Sequence, residues 1–236
     1  MFESLQLLWI GPEGRGLLLL SGLINTLQIA FGAYALGLTI GLLGALGKIH
    51  GGFFTRWLLE IYTTIIRAVP ELVLILLLYY AGTAALNNLM DSLGYEPVNV
   101  SGLAAGIVVI GIVQGAYSTE VIRAALLAVP HGQSEAGTAY GMSFSQNLRR
   151  IRIPAMIPFA LPGLSNLWLI TTKDTALLAV VGFFELATVT RAAGASTYKY
   201  LTFFLAAAAL YLIISLISNA FFRWLESRYR RGQALA

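Results

Sequence analysis

The sequence predicts an all-α integral membrane protein, a bundle of five transmembrane helices. Of 236 residues, 58% are hydrophobic and only 11% are charged, whereas a soluble domain carries about 25% charged residues. The apolar residues fall in runs of about 20 or more, the length a helix needs to cross the hydrocarbon, and the alternating segments of about 10 residues that a membrane β-barrel requires are absent. The polar residues gather at the ends of those runs or interrupt them as isolated pairs. With no cysteine, the chain has no disulfides and no thiolate metal or redox chemistry. Its net charge of +4 is no nucleic-acid footprint, because the bases cluster at helix ends with no basic groove or aromatic platform.

Residues Phe2 to Glu13 mix Glu3, Gln6 and Glu13 with Leu5, Leu8, Trp9 and Ile10, which suits a short interfacial helix or a frayed leader. The stretch lacks the basic start, compact apolar region and small-residue cleavage site of a signal peptide. The expected spans are about 16–47, 57–90, 100–127, 154–184 and 200–225. In the first, Gly37 and Gly41 form a G-x-x-x-G step that Gly44 and Gly47 continue, a small-residue face that admits a neighbouring helix closely. Gly47-Lys48 is not a phosphate-binding loop, since Leu42 and Ile49 stand where glycine and Ser/Thr are needed. This chain therefore carries no ATPase motif.

A Gly51-Gly52 turn leads into the second run, which Arg67-Ala68-Val69-Pro70-Glu71 interrupts at depth. Charges there cost about 2.5 to 3.5 kcal/mol each, so they face a cavity or a partner. Arg67 and Glu71 have i,i+4 spacing and are expected to pair across a kink at Pro70, as part of a site or for helix packing alone. Asn87 to Asn99 contains Asp91 and Glu96 and no base, an outer loop; its Asn99-Val100-Ser101 sequon is too short a match to use. The third run carries Gly102, Gly106, Gly111 and Gly115 and closes with Glu120 and Arg123, near enough on a helix to pair, before Pro130-His131-Gly132 breaks it. The fourth, from near Pro154, has Pro154, Pro158 and Pro162 on one face, which frees backbone carbonyls that protein or water must satisfy. Lys173-Asp174 interrupt it. Glu185 to Tyr200 is expected as a second outer loop, and the fifth span follows, anchored by Tyr198, Tyr200 and Trp224, with a basic tail beyond.

Five spans put the termini on opposite sides. One set of connections holds Lys48, Arg56, Arg123, Arg149, Arg150, Arg152, Arg223, Arg228, Arg230 and Arg231, and the other only Arg15, Arg191 and Lys199. The positive-inside rule then puts the C-terminus inside and the N-terminus outside. Residues 130–153 fall in the cytoplasm. Within them Ser134 is expected to cap a short helix through Ala139, Gly141 permits a reversal, and Phe144, Leu148 and Ile151 form an apolar stripe flanked by Arg149, Arg150 and Arg152. A compact helix-turn-helix of this kind suits insertion into a cleft on a soluble partner, with Glu135 as its anchoring charge.

Gly115-Ala116-Tyr117, Glu120, Arg123, Gly132-Gln133, Glu135-Ala136, Gly141, Ile153-Pro154, Leu161-Pro162, Asn166 and Lys173-Asp174-Thr175, with Arg67-Ala68-Val69-Pro70-Glu71-Leu72 before them, resemble the membrane subunits of polar amino-acid ABC importers. The likeness is to the histidine/lysine/arginine/ornithine and arginine type, and runs from about residue 20 to 225. It implies the type I importer permease fold, with a periplasmic N-terminus and a cytoplasmic C-terminus in a bacterial inner membrane. It further implies a second permease subunit, identical or homologous, two ATP-binding subunits that hydrolyse ATP-Mg, and a periplasmic amino-acid-binding protein; no cofactor and no enzymatic activity are expected in this chain. By the resemblance, 130–153 is the EAA coupling loop, with Glu135, Ala136, Gly137 and Gly141 meeting the ATPase. Lys173, Asp174, Arg67 and Glu71 would serve the substrate, a zwitterion that needs a cation and an anion in a water-poor site, or Lys173 and Asp174 would only stabilise a helix break. The chain has Gly137 where the family often has Ala, which should loosen the docking helix by up to about 1 kcal/mol, and Ala176 where it often has Ser. The rival classes are a self-sufficient ion-coupled amino-acid carrier, which the absence of a visible inverted repeat disfavours, and a membrane enzyme, for which no nucleophile or metal motif is present.

Overall fold

Glycine decides how the core closes. The computed structural model describes residues 7–9, 14–98 and 100–230, so most of Phe2 to Glu13, Asn99 and the end of the basic tail lie outside the described residues. The helices are α1 Gly16–His50, α2 Phe53–Ala68, α3 Glu71–Ser92, α4 Gly102–Ala128, α5 His131–Ala139, α6 Phe144–Asn147, α7 Ile153–Asp174, α8 Leu186–Thr197 and α9 Tyr200–Arg230, with no strand among the described residues. Five helical stretches are long and apolar enough to cross a membrane: Gly16–His50, Glu71–Ser92, Gly102–Ala128, Phe144–Val181 and Tyr200–Tyr229.

The glycine faces of α1 and α4 meet each other. A methyl placed on Gly37 would lie 3.0 Å from Gln114 Cβ, one on Gly41 would lie 2.9 Å from the Ser118 carbonyl carbon, and Gly115 faces Ile40. Each contact brings the two backbones closer than larger side chains would allow, and dispersion between them replaces the hydrophobic driving force that lipid does not supply. Around this seam Ile29, Ala33, Ile75, Val109, Ile110 and Leu178 form one buried cluster, and Ala45, Ile122, Leu126, Met156 and Ala160 form a second towards the C-terminal end of α1. The helices α3 and α9 turn Leu77, Tyr80, Leu205, Leu212 and Leu216 outward, exposed to the surroundings.

Several expectations change. Pro70 does not kink a continuous helix: Val69 takes extended backbone at φ −98° and ψ 139°, so α2 ends and α3 starts afresh. The cause is the proline ring, which disfavours helical geometry in the residue before it. The span expected over 57–90 is therefore two helices, and no ion pair joins Arg67 to Glu71. The expected loop from Asn87 shortens, because α3 runs on to Ser92. The α-helix of the fourth run begins at Ile153, beside Pro154, but helical backbone precedes it. Helical turns run without a break from Phe144 through a π-helical turn at Leu148–Arg152 into α7, where Pro154 removes one backbone donor from the ladder directly after that wider turn.

Residues after Glu185 are helix, not loop. Leu186, Val189 and Ala193 bury one side of α8 beside Leu19 and Phe203, a helical stripe hidden in the sequence among Thr, Arg, Ser and Gly. Glu185 caps it, fully buried, accepting from the Ala187 N–H at 2.8 Å and the Thr188 N–H at 2.6 Å. Thr26 on α1 accepts from the Leu186 N–H at 3.1 Å.

Candidate functional site

The polar island from Ser134 to Ile153 folds as α5, a reversal and α6. Gly141 turns the chain in the left-handed region at φ +78°, where a side chain would be strained. Ser143 then starts α6 with a capping box, its hydroxyl accepting from the Gln146 N–H and the Gln146 side chain accepting from its own N–H. Ser134 does not cap α5. The helix begins at His131, directly after Pro130, and Ser134 sits inside it, where its carbonyl accepts from Asn147 Nδ2 at 2.7 Å and its hydroxyl donates to Asn147 Oδ1 at 3.2 Å.

Buried Asn147 thus holds α5 on α6. Gly137 is the buried residue of α5: a methyl there would come 2.5 Å from Ile151 Cδ1 and 2.9 Å from Asn147 Nδ2. Close approach, rather than looseness, is what glycine provides at this position. Glu135 and Ala136 face outward and are exposed. At the base of the element Phe144 packs edge-on to His50 at 4.8 Å, and Arg152 lies 3.0 Å from His50 Nε2, joining the element to the end of α1.

Two residues before His50, the Lys48 ammonium bonds Glu60 and Thr63 of α2 and Glu120 of α4, at 2.7, 2.7 and 2.6 Å. Glu120 also accepts from Arg123 at 3.2 Å, the pair expected from their spacing. Lys48, with its side chain 5% exposed, was read from the sequence only as a base at a helix end. Its carboxylate partners lie 12 and 72 residues away.

Deeper in the bundle the break at Pro70 places Glu71 in the first turn of α3, and α7 ends at Asp174, where the backbone tightens into 3-10 turns over Thr175–Val181. Tyr117 of α4 donates to Glu71 Oε1 at 3.2 Å, and Gln114, one turn earlier, donates from Nε2 to Asp174 Oδ2 at 3.1 Å. Gln114 and Tyr117 lie one helical turn apart on α4, so the two bonds attach Asp174 and Glu71 to the same side of that helix. The structure thus brings together Glu71 and Asp174, two of the four residues expected at a substrate site. Lys173 and Arg67 are exposed and bond to neither carboxylate. Gln114 was missed, although a lone amide inside an apolar span was a signal in itself.

An apolar helical bundle that holds two carboxylates against one helix within its spans and displays a polar helical hairpin at one end has the make-up of a membrane transport subunit. A model of the family "binding-protein-dependent transport system inner membrane component" matches residues 37–231. The histidine/lysine/arginine/ornithine transport system permease protein HisQ of Salmonella typhimurium is 41% identical over 214 residues, 91% of this chain and 94% of that one. The octopine transport system permease protein OccQ of Rhizobium radiobacter is 37% identical over 228 residues, 96% of each. Among solved structures, an amino acid ABC transporter with histidines aligns with TM-score 0.74 and 31% identity, covering 91% of this chain and 95% of that one. The inward-facing MetNI methionine ABC transporter has the same fold, with TM-score 0.72 at 20% identity, covering 91% of this chain and 97% of that one. The chain belongs to the family of binding-protein-dependent transport system inner membrane components. It is a permease subunit of an ABC importer and not an enzyme, which sets aside both the ion-coupled carrier and the membrane enzyme.

Proposed function

We propose that this permease carries polar, chiefly basic, amino acids from periplasm to cytoplasm across a bacterial inner membrane. The observation that carries this reading is the Glu71 and Asp174 pair, held by two donors on α4 with no cation bonded to either carboxylate. A guanidinium or ammonium side chain entering between them supplies the missing charge, and a charge-assisted bond of this kind is strong where water is scarce. Lys173 and Arg67 remain exposed to receive an α-carboxylate. The names of relatives point the same way: besides HisQ, an arginine ABC transporter permease protein of Haemophilus influenzae is 31% identical over 214 residues, 91% of this chain and 94% of that one.

In this reading the N-terminus is periplasmic, the C-terminus cytoplasmic, and α5 enters a cleft on one of two separate ATP-binding subunits, which hydrolyse ATP with Mg²⁺. Glu135, Ala136 and Gly141 offer the coupling surface, and buried Gly137 lets α5 sit close against Asn147 and Ile151 behind it. A second permease subunit, identical or homologous, completes the path, and a periplasmic binding protein delivers the amino acid. The test is uptake by proteoliposomes with and without the ATP-binding subunits. Arginine uptake that requires ATP and those subunits is the expected result; uptake driven by an ion gradient alone would overturn the assignment. Asp174→Asn should lower uptake of arginine about tenfold more than that of a neutral amino acid, the effect of one lost charge-assisted bond.

A further inference from the structure

The two donors on α4 do more than fill the space between helices. A carboxylate only accepts, so Gln114 must turn its amide nitrogen towards Asp174, and in doing so it leaves its own Oε1 buried with no donor among the described residues. The residue is 1% exposed, so bulk solvent does not reach that oxygen. An orphaned acceptor at such a position marks an orientation kept for the sake of the group it faces. Tyr117, three residues on and therefore on the same side of α4, does the same for Glu71, donating at 3.2 Å. The two carboxylates come from separate elements, the first turn of α3 and the last turn of α7. Without donors between them, like charges would turn apart.

We infer that Gln114 and Tyr117 are positioning residues: α4 clamps Asp174 and Glu71 into one acidic pair whose spacing selects a cationic side chain. The inference rests on the substrate site proposed above. Gln114 touches the amino acid only through Asp174, and Tyr117 only through Glu71.

The test is equilibrium binding of arginine and of citrulline, its uncharged near-isostere, to the detergent-solubilised permease–ATPase complex without the binding protein. Gln114→Met preserves side-chain volume while removing the donor. Its arginine Kd should rise about tenfold, the worth of one hydrogen bond to a charged group, with citrulline unchanged. In an Asp174→Asn background the same substitution should add nothing, an outcome that a purely structural role would not produce. Tyr117→Phe removes a single oxygen and supplies the check should Gln114→Met fail to assemble: it should weaken arginine binding, but not in a Glu71→Gln background. Unaltered arginine binding in Gln114→Met or in Tyr117→Phe, with Asp174→Asn impaired, would overturn the clamp and leave the site standing. Equal loss for arginine and citrulline would overturn it as well. If Asp174→Asn itself binds arginine normally, the site and the clamp both fall.

Discussion

Lys48 joins three helices through one ammonium. Its partners Glu60, Thr63 and Glu120 lie on α2 and α4, and all three bonds are lost together if the charge is removed. Lys48→Met leaves Glu120 partly buried with Arg123 alone, and should destabilise the permease by about 2 to 4 kcal/mol, near the range for breaking a buried pair. Glu60→Gln should cost well under 1 kcal/mol, since a side chain 69% exposed is already well solvated. Thermal melting of the purified complex reads both. Only one part of this node was legible in the sequence: Glu120 and Arg123 lie within one helical turn, whereas Lys48 and Glu120 meet across 72 residues and share no local pattern.

At the scale of elements, the glycine seam and the polar hairpin of α5 and α6 show opposite demands. Gly41→Ala drives a methyl towards the Ser118 main chain, which cannot move aside as a flexible side chain would. Overpacking of this kind costs about 1 to 3 kcal/mol. At Gly52, where a methyl meets nothing within 4 Å, alanine should be tolerated, so the pair of melting curves isolates the seam. The polar hairpin, in the docking role proposed for it, has to present its outer surface instead. Glu135 is exposed, so Glu135→Lys should leave folding within about 0.5 kcal/mol of wild type while abolishing co-purification of the ATP-binding subunits; retained complex and transport would refute Glu135 as the anchor. Both elements were visible beforehand as glycine spacing and as a polar island. What Gly137 does was not, because its reason lies in Ile151 and Asn147 beyond the turn.

For the whole molecule, orientation is the property most directly open to measurement. The chain has no cysteine, so a single cysteine reports one side of the membrane without background. Ser145→Cys and Ala195→Cys both replace exposed residues. A membrane-impermeant maleimide should label the first only in inside-out vesicles and the second only in intact spheroplasts, as the asymmetry of Arg and Lys demands; the reverse pattern would invert the topology. The sequence by itself determined the membrane class, the number of candidate spans, the polar hairpin and the resemblance that the family match bore out, because apolar run length, charge placement and short motifs are read along one dimension. Only the tertiary structure decided that Arg67 and Glu71 part at Pro70, that Glu185 opens a buried helix, and that Gln114 faces Asp174. An i,i+4 pair exists only while its helix is unbroken, and a contact across 60 residues depends on where whole helices pack.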